Sequence, residues 1–390
     1  MRPPELRDEY DVVIIGAGVL GLFTAYHLAQ RMDPGRVLVL DKGFLSAGSS
    51  GRNGGGVRQQ WESVATIRLA REAVATWRRF PIDFGYNPWF RQGGYVFLAF
   101  EGEEEDRLRS THPRLRAEGL PVRWLGPREV RDLLPALDTR RVLGASYLRS
   151  DGVIFPFPVL WGLDRWLRRQ GVTVRTRTEA LGFETGPEGV RGVLTSAGRV
   201  RTPRVVNAAG GWSHEVSRRA GLDTANRPSR HEILATEPLK PFLNPMVVTL
   251  RQGLYFSQSL RGEIIGGLRL DGIAHVEQGL PSSSRFLVEM SRALTALVPR
   301  LQWVRVLRAW AGYYDDTPDG LPILGEDPRL PGFFQANGFG GHGFMLAPAA
   351  ASRLARIIWK EPTDLDPRLF SPSRFLEGSP PPRQEGLQLG

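Results

Sequence analysis

Asp11-Val12-Val13-Ile14-Ile15-Gly16-Ala17-Gly18-Val19-Leu20-Gly21 is the stretch that decides the fold. An apolar run of strand type passes directly into G-x-G-x-x-G, and Leu22 to Gln30 continues as a helix. A second apolar strand, Val37-Leu38-Val39-Leu40, ends at Asp41-Lys42. Asp41 stands about 20 residues beyond the last glycine, where a dinucleotide fold places its acid. Gly16 allows the tight turn, Gly18 lets the backbone approach a pyrophosphate, and Gly21 lets the helix lie close on the sheet. The helix start at Val19 presents its amides to phosphate. Asp41 would accept from a ribose hydroxyl and repel a 2′-phosphate. G-x-G-x-x-G alone is compatible with a plain turn; in this strand–helix–strand–acid setting it reads as a dinucleotide site.

The chain has 390 residues, room for a large core and two domains. It is 41% hydrophobic and 24% charged, and no apolar run approaches the ~20 residues of a membrane span. Met1 to Tyr10 is polar and has no signal-peptide core, which predicts a cytoplasmic protein. Cysteine is absent, so disulfides, cysteinyl flavin and iron–sulfur ligation by this chain are excluded. No metal-ligating cluster stands out. The net charge is +10, with Lys42, Lys240 and Lys360 the only lysines. The arginines are dispersed and no nucleic-acid module is recognisable; a basic surface suits an acidic partner or a peripheral membrane contact.

The nucleotide-binding pieces come from residues 1–90, 151–225 and 310–370. The segments 91–150 and 226–309 lack that pattern and read as an inserted, mixed-sheet substrate domain. Ala180 to Val205 reads as a β-meander, and Thr66 to Phe80 as an amphipathic helix. The tail 371–390, rich in Pro and Gly, reads as flexible or loosely docked.

Two more glycine clusters point to a long, deeply embedded cofactor. Gly48 to Trp61 contains Ser49, Ser50, Arg52, Asn53, Gly54, Gly55, Val57 and Arg58. Gly338 to Met345 contains Gly341, His342, Gly343 and Phe344 and opens the helix expected from Leu346 to Trp359. Amides at that helix start favour negative charge on a reduced flavin. Three separated Gly-rich contacts suit FAD better than NAD.

The ordered set resembles the amine-oxidising FAD family that includes D-amino-acid oxidase, glycine oxidase and sarcosine oxidase. The set is Gly16–Gly21, Ser49–Trp61, Asp151-Gly152 with Pro156, Asn207–Trp212, Trp310-Ala311-Gly312 with Thr317-Pro318-Asp319, and Gly338–Met345. Gly-Val-Arg-Gln-Gln, His231 before Thr236-Glu237-Pro238, Trp310 to Tyr314 and Gly-His-Gly-Phe-Met are most similar to FAD-containing β subunits of hetero-oligomeric L-proline dehydrogenases. The resemblance implies a Rossmann-type, glutathione-reductase-like FAD domain and transfer of a hydride equivalent from the carbon beside an amine nitrogen to the flavin. Ala180, Ala208, Ala209, Gly210, Trp212 and Gly312 join the glycine clusters as implied FAD contacts. Arg58 matches the position of a carboxylate-binding arginine. His231 and Tyr255 fall on segments that cover the flavin, and His342 is implied to position it.

Three departures sharpen the expectation. Gly312 stands near the place of a flavin-linking cysteine, so FAD is expected to be non-covalent. Met345 replaces a carboxylate-binding lysine. No lysine lies on the strand resembling Glu263–Gly267, where related oxidases activate oxygen; only Arg261 or Arg269 is near in sequence. The expectation is a dehydrogenase acting on proline or a similar secondary amino acid and passing electrons to a partner subunit. The alternatives are a sarcosine, dimethylglycine or glycine oxidase, an NAD-dependent dehydrogenase using the first βαβ unit alone, and a flavin-holding scaffold.

Overall fold

Val12–Ile15 is buried at every position and lies inside a six-stranded sheet in the computed structural model, which describes residues 5–270, 280–376 and 385–387. The strand order is Ile323–Glu326, Phe333–Asn337, Val205–Asn207, Val12–Ile15, Val37–Leu40 and Thr173–Arg175. All neighbours are parallel except the first two. Continuous Val/Ile/Leu runs are what a sheet covered on both faces requires. One cover is the helix Val19–Ala29 with Val64–Phe84, Pro156–Gln170 and Gly343–Ile358, all part of one large apolar cluster. The other is the three-stranded meander of Ala180–Gly186, Gly189–Thr195 and Gly198–Arg201.

The second large sheet has eight strands, in the order Val306–Asp316, Arg227–Thr236, Ile264–Gly267, Tyr255–Gln258, Met246–Thr249, Tyr95–Ala99, Gly144–Leu148 and Arg123–Leu125. It is antiparallel except where Met246–Thr249 runs parallel to Tyr95–Ala99. Helix Ser284–Leu297 covers one of its faces through Phe286, Met290 and Leu294. The α/β fold with a mixed second sheet is the one expected from sequence.

The two sheets meet through a long strand. Val306–Asp316 starts as the edge of the eight-stranded sheet and ends at Asp315, which bridges to Gly340 beside the six-stranded sheet. Helix Val64–Phe84 buttresses the same region: Trp77 stacks on Phe344 at 5.4 Å and donates to the Met345 carbonyl.

The described parts of the tail are docked, unlike the loose tail that its composition predicts. Phe370 and Pro372 are buried, and Arg374 pairs with Asp319 at 2.8 Å with both side chains almost inaccessible. Glu385 and Leu387 are each 1% exposed. A buried ion pair and an apolar anchor outweigh the Pro/Gly bias. Pro380 to Pro382 lie outside the described residues.

A Cβ at Gly21 would sit 2.0 Å from the Gly16 carbonyl oxygen, whereas one at Gly18 would meet the mobile Ser50 hydroxyl at 3.1 Å. Gly21→Ala is therefore expected to lower the unfolding free energy by about 1–3 kcal/mol. Gly18→Ala should move the denaturation midpoint far less; equal midpoints for the two variants would refute the contact.

Candidate active site

The site grows from the first turn. Gly16 takes φ +111°, and its missing side chain leaves room for the Ala208 carbonyl, 2.4 Å from where a Cβ would sit. Asp41 accepts from Ala17 N at 2.8 Å and from Gly43 N at 2.7 Å, tying the second strand to the turn. Burial pushes its carboxyl above the ordinary value, and the two amides and Lys42 pull the other way. Helix Val19–Ala29 has no side-chain cap at Gly18. Ser50 reaches in from the second glycine cluster instead and accepts from Val19 N at 2.9 Å.

Three cavities run on from this turn. The first, about 310 Å³, extends from Gly16 past Asp41 and Lys42 to Ala180 and the Ala208–Trp212 turn, with Lys42 Nζ 4.7 Å over the Trp212 ring. It shares Gly18, Ser49, Ser50 and Arg52 with a second of about 130 Å³, walled by Asn53, Gly54, His231, Tyr255, Gly312, Tyr314, Gly341 and Phe344. A third, of only about 20 Å³, lies beyond, between Gly54–Gly56, Tyr95, Met246, Tyr255 and Met345. Glycines keep these walls thin: a Cβ at Gly341 would fall 2.5 Å from the Tyr314 ring, and one at Gly54 3.3 Å from Tyr255.

Most expected contact residues line this path: Gly16, Gly18, Val19, Asp41, Lys42, Ser49, Ser50, Arg52, Asn53, Gly54, Gly55, Ala180, Ala208, Ala209, Gly210, Trp212, Gly312, Gly341, Gly343, Phe344 and Met345. Gly21, Val57 and Gly338 do not. Gly21 and Val57 are packed beneath the path, and Gly338 donates its amide to Asp315 at 2.6 Å. That carboxylate also receives Asn226 at 2.6 Å and Ser213 at 3.0 Å, and burial raises it to about 6.

Of the residues expected at the chemistry, His231 and Tyr255 face the second cavity. The Tyr255 and Tyr314 hydroxyls are hydrogen-bonded, and burial pushes both phenols well above the ordinary range. His231 stacks on Tyr314 with ring centroids 3.7 Å apart and 15° between planes, and its Nε2 is 3.2 Å from the Ser229 hydroxyl. Burial, aided by Arg269, lowers its pKa to about 4, so it is neutral at pH 7.

Arg58 and His342 do not face the cavities. Arg58 is 1% exposed, lies 3.6 Å over the Trp61 ring, and donates to the Gln60 carbonyl at 2.5 Å and to the Leu387 carbonyl. His342 Nε2 is 3.2 Å from its Nη2, and burial lowers the guanidinium pKa. The expectation of an arginine open to the flavin thus gives way to one held by backbone carbonyls.

The first two cavities form one elongated, glycine-walled cradle with helix-start amides near its middle, which fits an extended dinucleotide and leaves side chains of mixed polarity for a ring at the far end. Residues 11–357 match the family described as FAD dependent oxidoreductase. The chain belongs to that family. The oxidoreductase is similar to the sarcosine oxidase β subunit of Rhodobacter capsulatus, 30% identical over 379 residues that cover 96% of this chain and 91% of the relative. Among solved structures it is similar to L-proline dehydrogenase from P. horikoshii, with 33% identity, a TM-score of 0.89, and 95% and 99% of the two chains covered. Glycine oxidase from Geobacillus kaustophilus follows at 25% identity and TM-score 0.85, covering 94% and 99%. FAD is the cofactor of this oxidoreductase.

Sequence reasoning gave no role to Tyr95, Met246, Tyr314 or Asp151. Tyr313-Tyr314 sit on a strand, where alternation forces one of the pair toward each side. Asp151 is fully buried, binds Gln59 N at 2.8 Å and Gln60 Nε2 at 3.0 Å, and is raised by desolvation to about 7. Among the described residues no helix is long and apolar enough to cross a membrane.

His231 binds its proton less tightly folded than unfolded, so its share of stability is complete above about 6.5 and is lost as pH falls toward 4. The ¹⁵N shifts of its imidazole should stay those of the neutral ring from pH 8 to 5. A titration midpoint near 6.5 would remove burial as its controlling influence.

Proposed function

We propose that this chain is the FAD-bearing subunit of an amino-acid dehydrogenase that oxidises L-proline or a similar small secondary amino acid to the imine. The observation carrying this reading is the pocket of about 130 Å³ where neutral His231 and the hydrogen-bonded Tyr255 and Tyr314 face one space; the adjoining corner of about 20 Å³ takes no more than a water-sized group. A pocket of that size suits a small, compact amine more than one with an extended side chain. The similarity to L-proline dehydrogenase and to the sarcosine oxidase β subunit supports an amine donor.

Gly16–Leu20, Asp41, Ser49, Ser50, Arg52–Gly54, Ala180, Ala208–Trp212, Gly340, Gly341, Gly343 and Phe344 would hold FAD. Bound FAD supplies the acceptor for the hydride equivalent. The protein's part is to bind, orient and dry the amine. Neutral His231 would accept from an N–H of the substrate without adding positive charge to the pocket; it is too weak a base to deprotonate an ammonium, so the amine would enter already neutral, with its lone pair free to drive imine formation. The Tyr255–Tyr314 pair donates to oxygen or nitrogen on the same face. Arg58 supplies the positive field for the carboxylate, beside Tyr95 and 5.4 Å from the Phe97 ring.

Electrons would leave to a partner. Gly266 and Gly267 lie where a strand passes Tyr255 with no side chain, so no lysine ammonium stands there, and the cation whose field reaches His231 and Tyr314 is the guanidinium of Arg269; a Cβ at Gly267 would be 2.6 Å from the Tyr255 hydroxyl. A cavity of about 630 Å³ opens on the other side of Arg52–Gly54. Phe44, Trp89, Trp161 and Leu260 line it and are 41–59% exposed. Such an apolar mouth is a docking surface for a protein partner.

Anaerobic addition of L-proline should bleach the flavin bands of the purified chain, and Arg58→Ala should cost about 2–4 kcal/mol in kcat/KM. Bleaching by sarcosine or glycine but not proline, with peroxide formed as fast as a dye is reduced, would establish an oxidase instead. Trp161→Asp should leave bleaching intact and abolish co-purification with the partner; unchanged co-purification would place the partner elsewhere.

A further inference from the structure

Arg58 is a buried cation whose hydrogen-bond acceptors include no carboxylate, although Glu385, Asp151 and Glu62 act on it through their fields. Its acceptors are two backbone carbonyls and the His342 ring, and its Nε has no partner. A guanidinium removed from water is stabilised best by an anion in bidentate contact; a peptide carbonyl is a weaker, neutral acceptor. One of the two carbonyls comes from the far end of the chain.

The segment that brings it there is firmly anchored. Glu385 accepts from Glu62 N at 3.1 Å and Ser63 N at 3.2 Å, and Gly386 N donates to Glu62 at 2.6 Å. The Glu385 amide donates to the carbonyl of Asp319, the residue whose side chain holds Arg374. Leu387 is packed in the same apolar cluster as Tyr95, Met246 and Tyr255, three walls of the smallest cavity. The strap therefore touches the cavity wall and the nearby cation at once.

We propose that Glu385–Leu387 is an intramolecular strap whose Leu387 carbonyl competes with the substrate carboxylate for Arg58. In the strapped state the guanidinium is capped by a neutral acceptor. Entry of a carboxylate exchanges that acceptor for a charged one and loosens the strap. This rests on the reading of a carboxylate-bearing substrate.

The test uses flavin-loaded full-length protein, a chain ending at Leu376, and full-length Gly386→Pro, which removes the amide that donates to Glu62 and keeps both Leu387 and the Glu385 carboxylate, whose field acts on Arg58. Tetrahydrofuran-2-carboxylate and uncharged tetrahydrofuran are titrated against the flavin absorption bands. Both variants should bind the carboxylate about tenfold more tightly than the full chain, the scale of one charge-assisted hydrogen bond. Tetrahydrofuran binding should not change. If the shortened chain does not retain FAD, Gly386→Pro decides alone. Equal affinities, or parallel changes for both ligands, would overturn the strap while leaving the carboxylate site standing. If none of the three proteins binds the carboxylate, the strap and the amino-acid reading fall together.

Discussion

The constraint on which the first sheet depends is between backbone atoms. The Gly16 carbonyl lies against Gly21 at a distance no side chain tolerates, and Gly16 is itself pressed on the Ala208 carbonyl. These contacts seat helix Val19–Ala29 on the sheet and bring the Ala208–Trp212 turn, more distant in sequence, to the same point. Cavity walls, helix-start amides and the Asp41 bridge all inherit their positions from that approach. Packing density does the work that a hydrogen bond does elsewhere.

The second requirement is that two sheets of different architecture meet at one place. A single strand, Val306–Asp316, does most of this. It pairs along its length with Arg227–Thr236, bringing His231 opposite Gly312, and finishes in the buried Asp315 cluster that holds the Gly338 amide. Asn226 and Ser213 bring two further segments to the same carboxylate. His231, Tyr314 and the last glycine cluster are therefore set by one continuous piece of backbone. Displacing it would alter the face and the edge of the ring pocket together.

Local chemistry made the first sheet readable. G-x-G-x-x-G, continuous apolar strands and Asp41 each require the same arrangement, and the cavity-lining glycines are short-range signals. What stayed hidden depended on contacts distant in sequence. Nothing around Arg58 announces that Leu387 will reach it, because that contact spans most of the chain. Tyr95 and Met246 look like ordinary strand residues until two strands align them on one cavity. The tail misled because composition reports average preference, whereas Arg374–Asp319 and Leu387 are individual anchors.

Leu387 has a practical corollary for handling the protein. Any change made at Leu387 acts on the apolar wall of the smallest cavity and on Arg58 at once. Two samples alike in every cavity-lining residue but different at Leu387 would then not be the same enzyme.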